Sequence, residues 1–242
     1  MVSRNEIKLI TGLHQKKYRN RHGMFIAEGV KVITELHNAG MELRELYTTD
    51  SGLFPFAAQR SREISESILK KVSQLKTPNK ALALFDIPEE RKTGYSGLIV
   101  ALDDVRDPGN LGTIIRLCDW FGIEDLVCST TTVDCYNAKV VQATMGSLAR
   151  VNVVYRDLPE FIKNAELPSF VADMEGVDVY TASLPEKGIL VMGNEANGIS
   201  AEIRSLADHL ISIPRFGRVQ QTESLNVATA TAVLLSEFRR RR

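Results

Sequence analysis

The sequence predicts an α/β protein in two parts: an open, mainly parallel sheet flanked by helices, preceded by a smaller α/β unit. Three observations carry this. Six short apolar runs follow one another from residue 98 onward, at 98–102, 126–128, 151–154, 170–172, 189–192 and 210–213, with helical stretches at 111–121, 138–149 and 226–239 among them. Continuous apolar runs, rather than alternating ones, suit strands buried on both faces of a parallel sheet. Ahead of these runs, residues 88–94 are polar, turn-forming and aperiodic, which marks a linker. The expected domains are therefore 1–90 and 97–242.

Within the first part, Ser3 and Glu6 fit a capping box, and Ile7, Ile10 and Leu13 then recur at helical spacing. A very basic stretch at 14–22 follows, with one aromatic, Tyr18. Residues 24–27 read as a short strand. Gly29 opens a helix carrying Val32, Ile33 and Leu36, and Gly40 suits its C-terminal stop. A strand at 43–48, a helix marked by Ile64, Ile68, Val72 and Leu75, and a strand at 81–87 complete a compact α/β unit.

The 242 residues are 44% hydrophobic and 25% charged, the balance of an ordinary globular protein. Lys+Arg and Asp+Glu are both 30, so net charge points to no partner. Its distribution does. Up to residue 31 the basic residues are Arg4, Lys8, Lys16, Lys17, Arg19, Arg21 and Lys31, against Glu6 and Glu28, and the chain ends in Arg239, Arg240, Arg241 and Arg242. Basic ends on a neutral body suggest a polyanion contact confined to part of the surface. Solvated helix faces and a frayed tail are the plainer alternative. Cys118, Cys128 and Cys135 are odd in number and lack CxxC spacing, which argues against a disulfide framework or a structural zinc and for a reducing compartment. No apolar run is long enough to span a membrane. Arg4, Glu6 and Lys8 stand where a signal peptide needs an apolar core, so the expected location is cytoplasmic.

Three segments carry chemistry, each at or near the end of an expected strand. In the first, Pro108-Gly109 makes a turn, Asn110 is placed to cap the next helix, and Gly112 and Arg116 stand four apart on one helix face. A missing side chain at Gly112 would open a groove beneath the Arg116 guanidinium. In the second, Gly193 and Gly198 bracket Glu195 directly after a buried strand, and Ser200 can cap the helix that follows. A buried carboxylate there needs a partner, for which Arg116 is the candidate. The turn does not match the nucleotide-binding patterns GxxxxGK[ST] or GxGxxG. The third segment runs from Ile213-Pro214 to Ser224-Leu225-Asn226-Val227, opening a helix whose small residues Ala228, Ala230 and Ala232 permit close packing. That face reads as core packing or as a dimer seam.

Together these segments resemble the three signature motifs of the SpoU/TrmH family of SPOUT RNA methyltransferases. NxGxxxR is Asn110, Gly112 and Arg116; GxExxG is Gly193, Glu195 and Gly198; SLNV is Ser224, Leu225, Asn226 and Val227. The stretch from Phe25 to Gly29 similarly resembles the FxxEG-type segment of the family's substrate-binding domain. The resemblance implies a SPOUT-type fold with a C-terminal trefoil knot, a rare exception to unknotted chains. It also implies a homodimer and S-adenosylmethionine as methyl donor to a ribose 2′-hydroxyl of tRNA or rRNA, with no metal. Gly193, Ile213 and Leu225 would hold the cofactor.

Arg116 would act on the hydroxyl, Asn110 and Glu195 would orient it or the loops, and Ser224 and Asn226 would fix the third loop. Two roles for Arg116 stay open, because a free guanidinium has a pKa above about 12. It is either deprotonated in the site, or stays charged and acidifies the hydroxyl while phosphate or water takes the proton. Lys16, Lys17, Arg19 and Arg21 are the candidate RNA-binding residues. Two rival readings remain: a non-catalytic RNA-binding or ribosome-assembly protein on the same fold, and a nucleotide-dependent enzyme acting on a small molecule. His14, His22, His37 and His209 lie outside all three motifs and read as structural or surface residues. The segment 215–223 is longer than in many family members and carries two arginines, Arg215 and Arg218.

Overall fold

The computed structural model describes residues 2–219 and 224–240. Two compact units are present: Met1–Glu89 with Asp134–Arg150, and Glu90–Val133 with Val151–Arg242.

The first unit opens with α1 (Arg4–Gly12), whose N-terminus is the expected capping box: the Ser3 hydroxyl accepts from Glu6 N–H and the Glu6 carboxylate accepts from Ser3 N–H at 2.7 Å. After it come α2 (Lys16–His22), β1 (Met24–Glu28), α3 (Val30–Asn38), β2 (Leu43–Thr48), β3 (Ser61–Glu63), α4 (Glu66–Val72) and β4 (Ala81–Asp86). Gly29 at φ 86° and Gly40 at φ 85° bracket α3, both in backbone regions that L side chains disfavour. The sheet order is β1-β4-β2-β3, with only β2 and β3 parallel. Its core includes Ile10, Leu13, Ile26, Leu69 and Leu82. Glu28 of the FxxEG-type segment is buried at the end of β1 and accepts from Ser73 Oγ and, at 2.9 Å, from Gln74 N–H, so it fastens the stretch after α4.

The second unit continues with β5 (Leu98–Leu102), α5 (Pro108–Trp120) and β6 (Asp125–Ser129). Here the chain departs. The sequence suggested a helix of the large sheet at 138–149; instead Asp134–Arg150 belongs to the first unit, where α6 (Ala138–Thr144) packs on β1. That helix also ends early, because Met145 (φ 52°) and Gly146 (φ 98°) turn left-handed. A Cβ at Gly146 would lie 2.5 Å from Glu35 Cβ of α3, so only glycine allows that approach.

The chain resumes with β7 (Asn152–Arg156), α7 (Leu158–Asn164), β8 (Ser169–Asp178), β9 (Gly188–Met192), α8 (Ala201–Leu206), β10 (His209–Ser212) and α9 (Val227–Arg240). All five strand pairings are parallel, in the order β10-β8-β9-β5-β6-β7. Every residue of β5, β6 and β9 is buried, which is why these strands read as unbroken apolar runs. One face packs Ile99, Val127, Val154 and Val191 against Leu158, Phe161 and Ile203 of α7 and α8; each such side chain stabilises by about 1.5–3 kcal/mol. The polar segment 88–94 has no regular structure, but it is fastened to this unit. Glu90 pairs with Arg156, Arg91 C=O accepts from Asn152 at 3.2 Å, and Gly94 N–H donates to Asp125 at 2.9 Å.

The three cysteines are buried and unbridged, and burial pushes the Cys118 thiol pKa up. Among the described residues no helix is long and apolar enough to cross a membrane.

Candidate active site

Strands β5 and β9 are hydrogen-bonded neighbours whose last residues, Leu102 and Met192, are in register. The loops that follow them therefore leave the sheet side by side. Open parallel sheets bind ligands beyond such carboxyl ends.

The first loop is built around Asp104, a non-glycine residue at φ 59°. That conformation is uncommon, and neighbours fix it here: Asp104 N–H donates to Ser129 Oγ at 2.9 Å and its C=O accepts from Asn194 Nδ2 at 2.7 Å. Its carboxylate pairs with Arg106 at 2.9 Å. Burial raises the Asp104 pKa, but hydrogen bonds from Arg106 and Thr131 outweigh it and hold the carboxyl below its ordinary value. The loop ends at the N-terminus of α5, which Asp107 caps by accepting from Asn110 N–H at 2.8 Å. Asn110 is thus not the cap that the sequence suggested. It stands in the first turn with its side-chain amide directed toward the other two segments.

The second loop closes on itself. Asn194 and Gly198 exchange two backbone hydrogen bonds of 2.9 Å each, and Gly198 takes φ 67°. A Cβ at Gly193 would stand 2.5 Å from the Gly198 carbonyl carbon, so this turn requires glycine at its start. Asn194 Oδ1 accepts from Ala196 N–H and Asn197 N–H, both at 2.9 Å, which stiffens the turn. Ser200 precedes α8 but makes no side-chain cap; its N–H donates to Asp103 instead.

Glu195, at the tip of this turn, is exposed rather than buried. Its carboxylate accepts from Asn110 Nδ2 at 2.9 Å, and from Arg106 N–H and Asp107 N–H at 3.4 Å each. The expected ion pair with Arg116 is therefore not formed, since the first loop satisfies the carboxylate. Arg116 is exposed on α5 and, among the described residues, makes no hydrogen bond or ion pair. Gly112, four residues before it, is buried on the inner side of that helix, not open as a groove.

From the third segment, Asn226 caps α9 by accepting from Ala228 N–H at 3.0 Å and Thr229 N–H at 3.2 Å, while its Nδ2 donates to Asn110 Oδ1 at 2.8 Å. A continuous chain of side-chain hydrogen bonds thus runs Asn226–Asn110–Glu195, with one residue from each of the three segments. The chain of interactions brings Asn110, Glu195 and Asn226 together. Ser224 and Leu225 are exposed beside Asn226, and Ile213 is half-buried after β10. Residues 220–223 of the long segment lie outside the described residues.

Residues 97–236 match the SpoU rRNA Methylase family, and residues 4–83 match the MRM3-like substrate binding domain. The chain belongs to the SpoU rRNA methylase family. It is 31% identical to the 23S rRNA (guanosine(2553)-2'-O)-methyltransferase RlmP of Bacillus subtilis, over 94% of this chain and 93% of the relative. Among solved structures, a TrmH-family protein of Porphyromonas gingivalis aligns at 39% identity over 100% of both chains, with a TM-score of 0.89. An AdoMet-bound rRNA methyltransferase of Sinorhizobium meliloti aligns at 30% identity and a TM-score of 0.85, over 100% of this chain and 97% of the other.

The candidate RNA-binding residues divide. Lys16, Lys17 and Arg21 are exposed on α2, and the Lys17 ammonium lies 4.9 Å from the Tyr18 ring centroid. Arg19 does not belong with them. It is buried, with Nε 3.0 Å from Asp134 Oδ2 and Nη1 donating to the carbonyls of Leu13 (2.9 Å) and His14 (3.0 Å). A buried cation must be paired and hydrogen-bonded, and this one fastens α2 to the start of the 134–150 segment. The C-terminal arginines divide likewise: Arg239 donates to Phe121 C=O and Gly122 C=O beyond the end of α5, Arg240 pairs with Glu237, and Arg241 and Arg242 lie outside the described residues. Sequence reasoning also missed Asp104, Arg106, Asp107 and Asn194. Only Asp107 carried a signal, an aspartate directly before a proline at the first helical position.

Proposed function

We propose that this chain transfers a methyl group from S-adenosylmethionine to a ribose 2′-hydroxyl of RNA, with large-subunit ribosomal RNA as its substrate class and the cytoplasm as its location. The Asn226–Asn110–Glu195 hydrogen-bond chain carries the proposal, because it couples all three family motifs at the carboxyl ends of β5 and β9. The relatives that share both units, named as rRNA 2′-O-methyltransferases, support the substrate class.

The residues present fit the cofactor. Gly193 starts a closed turn in which any Cβ would collide, which leaves backbone rather than side chain at the end of β9. Ile213 and exposed Leu225 offer aliphatic contacts next to the backbone groups of a strand end and a helix start, a combination suited to a flat nucleoside. When bound, S-adenosylmethionine supplies an electrophilic methyl on a sulfonium. The protein's task is then to hold the 2′-oxygen in line and to ease loss of its proton; near-attack positioning accounts for about 7–11 kcal/mol in favourable cases. Arg116 makes no ion pair among the described residues, and its guanidinium would polarise the hydroxyl and bind the adjoining phosphate. The hydroxyl proton would then pass to phosphate or water. Asn110 and Glu195 keep the two loops in register, and Asn226 ties the third to them. Lys16, Lys17 and Arg21 contribute phosphate contacts from the first unit.

The trefoil knot and a homodimer belong to the same proposal. Trp120, 84% exposed one helical turn beyond Arg116 on α5, supports a subunit contact along that helix. Incubation of the protein with labelled S-adenosylmethionine and unmodified ribosomal RNA, followed by nucleoside analysis, tests the activity. A 2′-O-methylnucleoside is expected, and Arg116→Ala is expected to lose at least about 100-fold in rate while cofactor affinity stays within twofold of wild type. A base-methylated product, or wild-type turnover by Arg116→Ala, would overturn the assignment.

A further inference from the structure

Phe216 is 82% exposed in the segment that follows Ile213-Pro214, and the described part of that segment has two arginines, Arg215 and Arg218, with no acidic residue. Its ring centroid lies 6.4 Å from that of Tyr180 at an interplanar angle of 32°. Tyr180 is held firmly. Its N–H donates to Asp178 Oδ1 at 2.8 Å, and the preceding Val179 N–H donates to Ser212 C=O at 2.9 Å. The ends of β8 and β10 are themselves in close contact: a Cβ at Gly176 would fall 2.5 Å from the backbone of Ile211, and Ser212 Oγ donates to Gly176 C=O at 2.9 Å. Two exposed aromatics, one of them on a firmly hydrogen-bonded backbone, thus stand side by side next to the segment proposed to hold the cofactor.

We infer that Phe216 and Tyr180, with Arg218, form a platform on which an unpaired base of the RNA substrate stacks. The inference rests on the methyltransferase reading and deepens it. Sequence-specific RNA recognition works on unstacked bases laid against aromatic rings and guanidinium planes. Stacking tolerates any base, while a neighbouring cation meets the phosphate backbone. The Arg218 guanidinium, close to Phe216 in the chain, matches a polyanion. Two residues, Pro214 and Arg215, separate Ile213 from Phe216, so a base held on this platform is a near neighbour of the reacting nucleotide.

The test uses the full-length protein and an unmodified ribosomal RNA fragment. Phe216→Ala, Phe216→Tyr and Arg218→Ala are compared for RNA affinity by filter binding across a salt series, for S-adenosylmethionine affinity by calorimetry, and for oligomeric state by sedimentation. Loss of one stacked base weakens RNA binding by about 5- to 150-fold. That loss is expected for Phe216→Ala, with cofactor affinity and sedimentation unchanged, and Phe216→Tyr is expected to restore most of it. Arg218→Ala is expected to lower the salt dependence by about 0.7 in log–log slope, the value for one single-strand phosphate contact. The platform is overturned if Phe216→Ala binds RNA as wild type does, if it loses the cofactor in parallel, or if its oligomeric state changes. A wild-type protein that binds RNA but makes no 2′-O-methylnucleoside would instead overturn the methyltransferase reading, and the binding comparison would still decide the platform.

Discussion

Arg19 offers the sharpest separation of a structural cation from a binding one. Its side chain is 4% exposed and that of its partner Asp134 is 12% exposed. Arg19→Met keeps the aliphatic stem but removes every donor, stranding the Asp134 carboxylate and the carbonyls of Leu13 and His14. Breaking a buried pair from one side costs about 3–5 kcal/mol. The lower end applies here, because Asp134 Oδ1 keeps the N–H of Tyr136 at 3.2 Å and retains some solvent. At a urea dependence of about 2 kcal/mol per molar, a 3 kcal/mol loss lowers the unfolding midpoint by about 1.5 M. Replacing Lys16, Lys17 and Arg21 together by alanine should leave the unfolding free energy within about 0.5 kcal/mol of wild type. The same triple change should reduce the log–log salt slope of RNA binding by about 2–3. Urea unfolding followed by circular dichroism and filter binding on the same preparations read both quantities. If Arg19→Met unfolded with wild-type stability yet bound RNA poorly, Arg19 would be an RNA contact and the structural assignment wrong.

Gly193→Ala places a Cβ 2.5 Å from the Gly198 carbonyl carbon, so the turn must open; overpacking of this kind costs about 1–3 kcal/mol, and calorimetry should record S-adenosylmethionine affinity weakened by about tenfold. Unchanged affinity would remove that turn from the cofactor site. The hydrogen bond between Asn110 and Asn226 predicts that Asn110→Ala and Asn226→Ala are non-additive in kcat/KM, with a coupling of about 0.5–1.5 kcal/mol; strict additivity would mean that the two act separately. His14, half-buried with Nε2 3.1 Å from Val72 C=O, has its pKa lowered from 6.5 by burial, against the opposing influence of that carbonyl and of Glu28. The unfolded chain therefore takes up the proton more readily, so stability is greatest above about pH 6.5 and falls as pH drops below it. His14→Gln should flatten that part of the stability profile, and an unchanged slope would show that His14 does not control it.

The parts of the fold that were legible in the sequence share one physical property. Strands β2 and β5 coincide with the expected 43–48 and 98–102, and β6, β7, β9 and β10 lie within two residues of their apolar runs; β5, β6 and β9 are buried throughout and β2, β7 and β10 in part, but each shows a local apolar pattern that needs no long-range information. Helix α2 escaped notice for the opposite reason. Its sequence, KKYRNRH, has no apolar stripe, and its one buried residue is an arginine whose partner arrives from position 134. The 134–150 excursion failed similarly: its valines fit a helix beside the large sheet as well as one packed on β1, and hydropathy cannot distinguish the two. Short elements such as β3, α7 and α8 carry too few residues for either period to register.

The site was legible only in part, and its errors are instructive. Asn110, Glu195 and Asn226 stand 85 and 116 residues apart in the two pairs that join them, and no local pattern relates such positions. What relates them is the strand order, which sets β9 beside β5 and brings β10 back past β8. Three motifs shared with a known family supplied that information because the family has already solved the topology. Pairing Glu195 with Arg116 assumed that a carboxylate seeks a cation. In this structure two backbone N–H groups and one amide satisfy it, at the edge of solvent where charge is cheap to hold. The difference matters for the chemistry. A guanidinium held by Glu195 would have much of its field cancelled before any RNA arrived, whereas Arg116, unpaired among the described residues, would under the proposed reading keep that charge for a ribose hydroxyl and the phosphate beside it.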